Sequence, residues 1–324
     1  MSFRHCQNAA ISTALLSAAF AATAGAGTLA YVPNQKSGTI SVIDTTRNEV
    51  VRTLSAGGKL GKRLQAIDTN KNGTLLYVVD AQNNSLFAID PATDTVKQTV
   101  DIGKEAEGVR LSPSGKMLAV CAEGQNTVLL IDAASFRIEA RIPVKGKNPE
   151  HCEFTRDGNL LLTSNEGTDN IDVIDVARRE STGTIATSGH PRGAAFEPGT
   201  SHVYIAQESA NSVDVIDLGT REKIANIPTA LRTAGVTISD DGKRAYAANG
   251  GAGSVSVIDV ATNKVIKEVP VGKRPWNMAL TADGTRLYVA NGRSNSVSVI
   301  DTRALKVIHE IAVGELPWGV AIPR

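Results

Sequence analysis

Aromatic side chains are scarce in this sequence, at 4% of residues, and cysteine occurs three times, at Cys6, Cys121 and Cys152. Three cysteines cannot staple a chain of 324 residues, so a disulfide framework is excluded. No Cys-x-x-Cys and no Cys-x-x-Cys-His occurs, which removes a zinc ribbon, a vicinal redox pair and attached c-type haem. Neither sign of charge dominates, with 34 Lys and Arg against 33 Asp and Glu, a formal net charge of +1. No global field therefore draws the protein to nucleic acid or to an anionic membrane. Gly-x-Ser-x-Gly, the phosphate-binding Gly-x-x-x-x-Gly-Lys-Ser/Thr loop and His-Glu-x-x-His are all missing. The glycine-rich stretch Asn249 to Gly253 falls where a connecting loop belongs and reads as a turn. What remains is a chain 42% hydrophobic, with ample material for a core.

One uncharged, Ala-rich run, Ala9 to Ala22, follows Arg4 and His5 and ends in the small-residue tracts Ala22-Thr23-Ala24 and Ala24-Gly25-Ala26. Its 14 residues fall short of the roughly 20 that span a bilayer, so a cleaved secretory signal over residues 1–24 is expected, with cleavage near 24 to 26. Export predicts a periplasmic protein without a membrane span in its mature chain. Cleavage after Ala24 removes Arg4, Cys6 and no acid, leaving a formal charge of zero. Cys121 and Cys152 then stand in apolar strand contexts and are expected as two buried thiols.

Self-similarity governs the rest. Ile-Asp closes a β-branched run at Asp44, Asp90, Asp132, Asp175, Asp217, Asp259 and Asp301, at intervals of 46, 42, 43, 42, 42 and 42 residues. The last copy reads as four strands: Met278 to Thr281, Leu287 to Ala290, Ser296 to Ile300 and Lys306 to Val313. Gly73, Gly158, Gly242 and Gly284 supply the positive φ of tight hairpins, and each aspartate can accept hydrogen bonds from the turn after it. A unit of four short strands cannot bury both faces alone, so seven copies predict an all-β, seven-bladed propeller, WD40-like in architecture, over residues 27–324. The chain enters at the second strand of a unit, Leu29 to Val32, and its last segment, Trp318 to Ile322, reads as a first strand. The C-terminal strand is therefore expected to complete the N-terminal blade and close the ring.

The segments Leu287-Tyr-Val-Ala-Asn291, Leu76-Tyr-Val-Val-Asp80 and Ala30-Tyr-Val-Pro-Asn34, with Ser-Val-Ser-Val-Ile-Asp at 254–259 and 296–301, resemble the YVTN family of β-propeller repeats. The likeness spans nearly the whole mature chain and weakens at Ala119-Val-Cys-Ala122 and Leu162-Thr-Ser-Asn165. The segments Pro275 to Leu280 and Leu316 to Ile322 are similar to a subgroup associated with quinone (PQQ)-dependent alcohol catabolism. That resemblance implies a periplasmic accessory protein. With two tryptophans, the chain lacks the Trp-rich repeats of propellers that hold the quinone, so no cofactor is expected.

A propeller gathers residues that depart from its repeat at the channel mouth. Eight residues before each hairpin glycine or its equivalent, the inner strands begin with Gln65, Glu107, Glu150, Arg192, Ala234, Trp276 and Trp318. The next positions are small except for Asn277 and His151. Just ahead lie Arg63, Glu105, Asn148, His190, Arg232 and Arg274. One reading makes Trp276 and Trp318 a paired aromatic platform flanked by Arg274 and Arg192; the other makes them a packed plug. Glu107 and Glu150 are expected in a solvated charge ring. His151, Glu153 and Asp68 form only a loose oxygen and nitrogen set, and no metal is expected there. A Cys152–His151 nucleophile pair is disfavoured because adjacent strand residues diverge.

The resulting expectation is a non-catalytic, monomeric binding or scaffold protein. Trp276, Trp318, Arg192, Arg274, Arg232, Glu107, Glu150, His151 and His190 would meet a small ligand or a periplasmic partner. The resemblance makes that partner a quinone-dependent dehydrogenase, a cytochrome or a transporter component. One alternative is a lactonase-like hydrolase using His151, His190, Arg192, Arg232 and Glu150. The other is a single-stranded nucleic-acid binder, disfavoured by the neutral charge.

Overall fold

Each Ile-Asp pair ends the strand next to the outermost one of its sheet, and its aspartate folds back over the turn that follows. Asp44 Oδ1 accepts the Thr46 N–H at 2.8 Å, Asp132 Oδ1 that of Ser135 at 2.7 Å, and Asp301 Oδ1 that of Ala304 at 2.7 Å. Four residues beyond each aspartate the chain turns left-handed, at Asn48, Asp94, Phe136, Arg179, Arg221, Asn263 and Leu305, with φ between 51° and 60°. None is glycine, although an L-residue there carries a steric cost, so the side-chain bonds and flanking strands hold the turn.

The computed structural model describes residues 29–323; the expected signal sequence and Cys6 lie outside the described residues. Seven antiparallel sheets follow one another along the chain. In blade 2 the strands run Leu64–Thr69, Leu76–Asp80, Ser85–Asp90 and Thr95–Asp101, from the channel outward. The inner strands of blades 3 to 7 are Ala106–Leu111, Pro149–Phe154, Pro191–Phe196, Thr233–Ile238 and Pro275–Leu280. In the last blade the other three strands are Arg286–Asn291, Ser296–Asp301 and Lys306–Ala312, within a few residues of the expected bounds. Gly73, Gly158, Gly242 and Gly284 have φ between 66° and 72° in their hairpins, as the sequence requires.

Blade 1 holds three consecutive strands, Leu29–Asn34, Thr39–Asp44 and Glu49–Leu54. Its inner position is filled by the C-terminal segment through bridges Tyr31↔Ala321 and Asn34↔Pro317. Tyr31 and Ala321 exchange two backbone hydrogen bonds of 2.9 Å, and Trp318 N–H reaches Pro33 O at 3.0 Å. The pairing is two bridges and not a continuous ladder. Residues between the bridges take the register break that also interrupts the other inner strands.

The sheets pack face to face, so each apolar cluster joins neighbouring blades. Tyr77 and Val79 meet Leu118 and Val120, while Ala30, Val32 and Ile43 meet Tyr288, Val297 and Val299 across the closure. Tyr288 OH also donates to Asn48 Oδ1 at 2.6 Å, tying blade 7 to blade 1. Polar side chains inside the blades bond to one another: Asn291 Nδ2 donates to Ser298 Oγ at 2.8 Å, and Ser298 Oγ donates to Glu310 at 2.6 Å. The Ser-Val-Ser-Val motif thus alternates buried hydroxyls with buried valines.

Candidate functional site: an ionic channel mouth

The first pairing of each inner strand is broken by a register shift, between Ala106 and Val109 in blade 3, Pro149 and His151 in blade 4, Pro191 and Ala194 in blade 5, and Pro275 and Met278 in blade 7. Glu107, Glu150, Arg192 and Trp276 are the residues inside those bulges. A bulge re-aims the side chain it carries, and here it turns them to the mouth. The residues just ahead are bent as well, since Glu105, Asn148, His190, Arg232, Arg274 and Leu316 have φ between 52° and 59°. The small positions that follow are forced by neighbouring inner strands. A Cβ on Gly108 would lie 2.4 Å from Glu150 O, and one on Gly235 the same distance from Trp276 O.

A chain of side chains runs around this mouth. Gln35 Nε2 donates to Gln65 Oε1 at 2.9 Å, and Gln65 Nε2 to Glu107 Oε1 at 3.0 Å. Glu107 in turn stands beside Glu150, close enough for the Glu150 charge to act on its carboxyl. Arg192 Nη1 lies 2.6 Å from Glu150 Oε2, contacts Glu166 Oε1, and stands 3.6 Å from Glu208 Oε2. Glu208 Oε1 accepts Arg232 Nη2 at 2.6 Å and Arg274 Nη2 at 3.1 Å. His190 Nε2 is 3.1 Å from Glu166 Oε2. The Arg274 guanidinium lies over the Trp276 ring, 5.9 Å from its centroid.

Burial and charge split the two inner carboxyls. Glu107 is pushed up to about 9, first by burial and then by the Glu150 charge beside it, so at neutral pH it is a proton-carrying acid. Burial also pushes Glu150 upward, but Arg192 and His151 outweigh it and hold the group at about 2. Glu208 is lowered in the same way: burial opposes ionisation and Arg192, Arg232 and Arg274 overcome it. Desolvation, with Arg232 and Arg192 nearby, holds Arg274 below the usual arginine range, against the pull of Glu208.

Several expectations need correction. The carboxylates are not a solvated ring, since Glu150 is 2% exposed and fixed by ion pairs. Trp276 and Trp318 do not stack as a paired platform. Trp318 is buried and faces His151 with ring centroids 5.6 Å apart, whereas Trp276 sits under Arg274 and against Gly292. Trp318 is thus a packed floor of the channel, and His151 bridges it to the mouth through Glu150 Oε1 at 3.3 Å. Asp68, His151 and Glu153 do not converge, because Arg110 takes Glu153 at 2.8 Å and approaches Asp68 at 3.9 Å.

The sequence reading missed Glu166 and Glu208, which hold Arg192, Arg232 and Arg274 in place. Each is the first residue after a second strand, in a series Gln35, Ala81, Glu123, Glu166, Glu208, Gly250 and Gly292. Acids in three successive blades at that position were the available signal. Glu166, His190 and Glu208 also bring one ligand atom each within 4.8 Å of one another. The Arg192 guanidinium already bridges the two carboxylates, which places a cation's charge in their midst. Cys121 and Cys152 are free, buried thiols. Cys152 is held well above the usual thiol range by its hydrogen bond with Cys121 and by burial.

The architecture and this mouth define a seven-bladed β-propeller with an ion-paired channel entrance and, among the described residues, no helix long and apolar enough to cross a membrane. Residues 117–280, just over half of the chain, match the model of the YNCE-like beta-propellers, and the chain belongs to that family. No curated protein matches it in sequence. A chain of Kuenenia stuttgartiensis hydrazine synthase superposes with a TM-score of 0.78 at 21% identity, covering 86% of this chain and 93% of that one. A functionally unknown protein from Desulfotomaculum acetoxidans DSM 771 gives 0.78 at 15% identity, covering 91% and 98%. Dihydro-heme d1 dehydrogenase NirN, in complex with DHE, gives 0.66 at 16% identity, covering 88% of this chain and 64% of that one. At these identities the likeness is one of fold.

Proposed function

We propose that the protein is an exported, non-catalytic binding or scaffold propeller of the periplasm whose contact surface is the ionic mouth. The observation that carries this reading is the mutual ion pairing of the mouth's charged groups. Arg192 is shared by three glutamates, Glu208 by three arginines, and His190 is engaged by Glu166. A nucleophile or general base must be within reach of its substrate, and these groups are ion-paired with one another. A rigid, charge-patterned rim with exposed Arg232 and half-exposed His190 suits recognition of a complementary polar surface. The tryptophan-bearing inner strands support a place beside quinone-dependent alcohol oxidation or linked transport, with a dehydrogenase, cytochrome or transporter component as partner and the propeller itself a monomer. Copurification from periplasmic extract tests it. A partner of that kind, lost on Arg232→Glu, is the expected result; recovery of none overturns the reading.

The convergence of Glu166, His190 and Glu208 favours one second reading, a metal-assisted hydrolase of the lactonase kind. Metal analysis together with a lactone panel separates the two: bound metal and turnover lost in His190→Ala would replace the scaffold reading.

A further inference from the structure

A central cavity of about 1050 Å³ opens at the other end of the ring, where the inner strands finish, and it shares Trp318 and His151 with the mouth. Its floor is the Trp318 ring with His151, and its wall has two unlike arcs. Blades 2, 3 and 4 contribute Asp68, Arg110 and Glu153. Arg110 Nε is 2.8 Å from Glu153 Oε2, and its Nη1 is 3.9 Å from Asp68 Oδ2. Asp68 is fixed further by the Leu111 N–H, which donates to Oδ2 at 2.7 Å. Two carboxylates share one guanidinium, so this arc keeps one unit of negative charge facing the cavity. The facing arc carries Gly193, Ala195, Ala279 and Ala321, small and uncharged, which is why the space is wide. Rim residues Lys71, Arg156 and Asp240 are exposed and face bulk water, where screening weakens them.

We propose that this cavity binds a small organic ammonium ion, with the Asp68–Arg110–Glu153 arc as its counter-charge and the Trp318 ring beneath its body. An arc with one more carboxylate than guanidinium, facing small neutral side chains, favours the opposite charge in the space between them. An aromatic floor adds cation–π attraction, as in sites that recognise quaternary ammonium groups. The Gly and Ala arc leaves room for an apolar body of ordinary ligand size. The counter-charge of this site, Asp68, Arg110 and Glu153, lies outside the ionic mouth, so its failure leaves the scaffold reading untouched.

The test is a titration with benzyltrimethylammonium, benzyl alcohol and benzoate, read by calorimetry and by tryptophan fluorescence in the protein and in Trp276→Phe, where Trp318 alone reports. The ammonium probe should bind saturably, with a Trp318 response and affinity about tenfold or more above the neutral alcohol. Benzoate should bind weakest. Glu153→Gln keeps an acceptor for Arg110 and removes the excess charge, so it should abolish the preference for the ammonium. Ala279→Trp, which fills the cavity from the neutral side, should block all three probes, with a thermal melt confirming that each variant folds. Equal affinity for the three probes, tighter binding of benzoate, binding unaffected by Glu153→Gln, or no saturable response to the ammonium would overturn the assignment.

Discussion

Arg192 and Glu150 meet at 2.6 Å across adjacent inner strands, and Glu150 is among the most deeply buried charged groups at the channel mouth. The same guanidinium serves Glu166 and Glu208, so one cation neutralises acids from blades 4 and 5 together. Replacing Arg192 with Met leaves Glu150 as an uncompensated buried charge. The expected cost is about 3–5 kcal/mol of stability, measured by urea unfolding. A loss below about 1 kcal/mol would mean that the pair behaves like an exposed one.

Glu107 gives the protein a pH dependence of definite sign. Its carboxyl titrates at about 9 in the folded state against an ordinary value of 4.5, so between those limits the folded state holds a proton that the unfolded chain has released. Stability contributed by this group therefore falls as pH rises through that window. Glu107→Gln keeps the hydrogen-bonding shape without the ionisation. Its melting temperature should match the parent at the acid end and exceed it at the alkaline end; identical curves throughout would contradict the assignment. Glu150 acts in the opposite sense, because its stabilisation is lost as pH falls from 4.5 toward about 2.

Ring closure rests on few hydrogen bonds. Ala321→Pro deletes the N–H that donates to Tyr31 O at 2.9 Å and orphans that carbonyl. A loss of about 1–3 kcal/mol is expected in thermal unfolding. An unchanged melting temperature would show that apolar packing of Ala30, Val32 and Ile322 against blade 7 closes the ring unaided.

Gly292 is a space requirement and not a turn requirement. A Cβ there would lie 2.5 Å from Trp276 Cζ3, so Gly292→Ala must displace the indole from beneath Arg274. A shifted tryptophan emission is expected, together with weaker partner capture at the mouth. An unaltered spectrum would place the indole elsewhere.

The Cys121 and Cys152 thiols should resist a charged thiol reagent until the protein unfolds, since burial and their mutual hydrogen bond keep Cys152 protonated. Rapid labelling of the native protein at either position would contradict this.

The repeat made the architecture legible from the residues alone. Ile-Asp at seven places, hairpin glycines and alternating valines are local signals that each act within a few residues, and a blade is built from such local pairings. The inner-strand residues of the mouth were legible for the same reason, as departures from a common pattern at one repeat position. The tertiary structure decided their states. Bulges placed Glu150 inward and beside Arg192, the second-to-third strand loops delivered Glu166 and Glu208, and Trp318 came to face His151. Whether a carboxyl keeps its proton, and whether an indole stacks or plugs, depends on distances between blades more than forty residues apart, and no spacing along the chain encodes those distances.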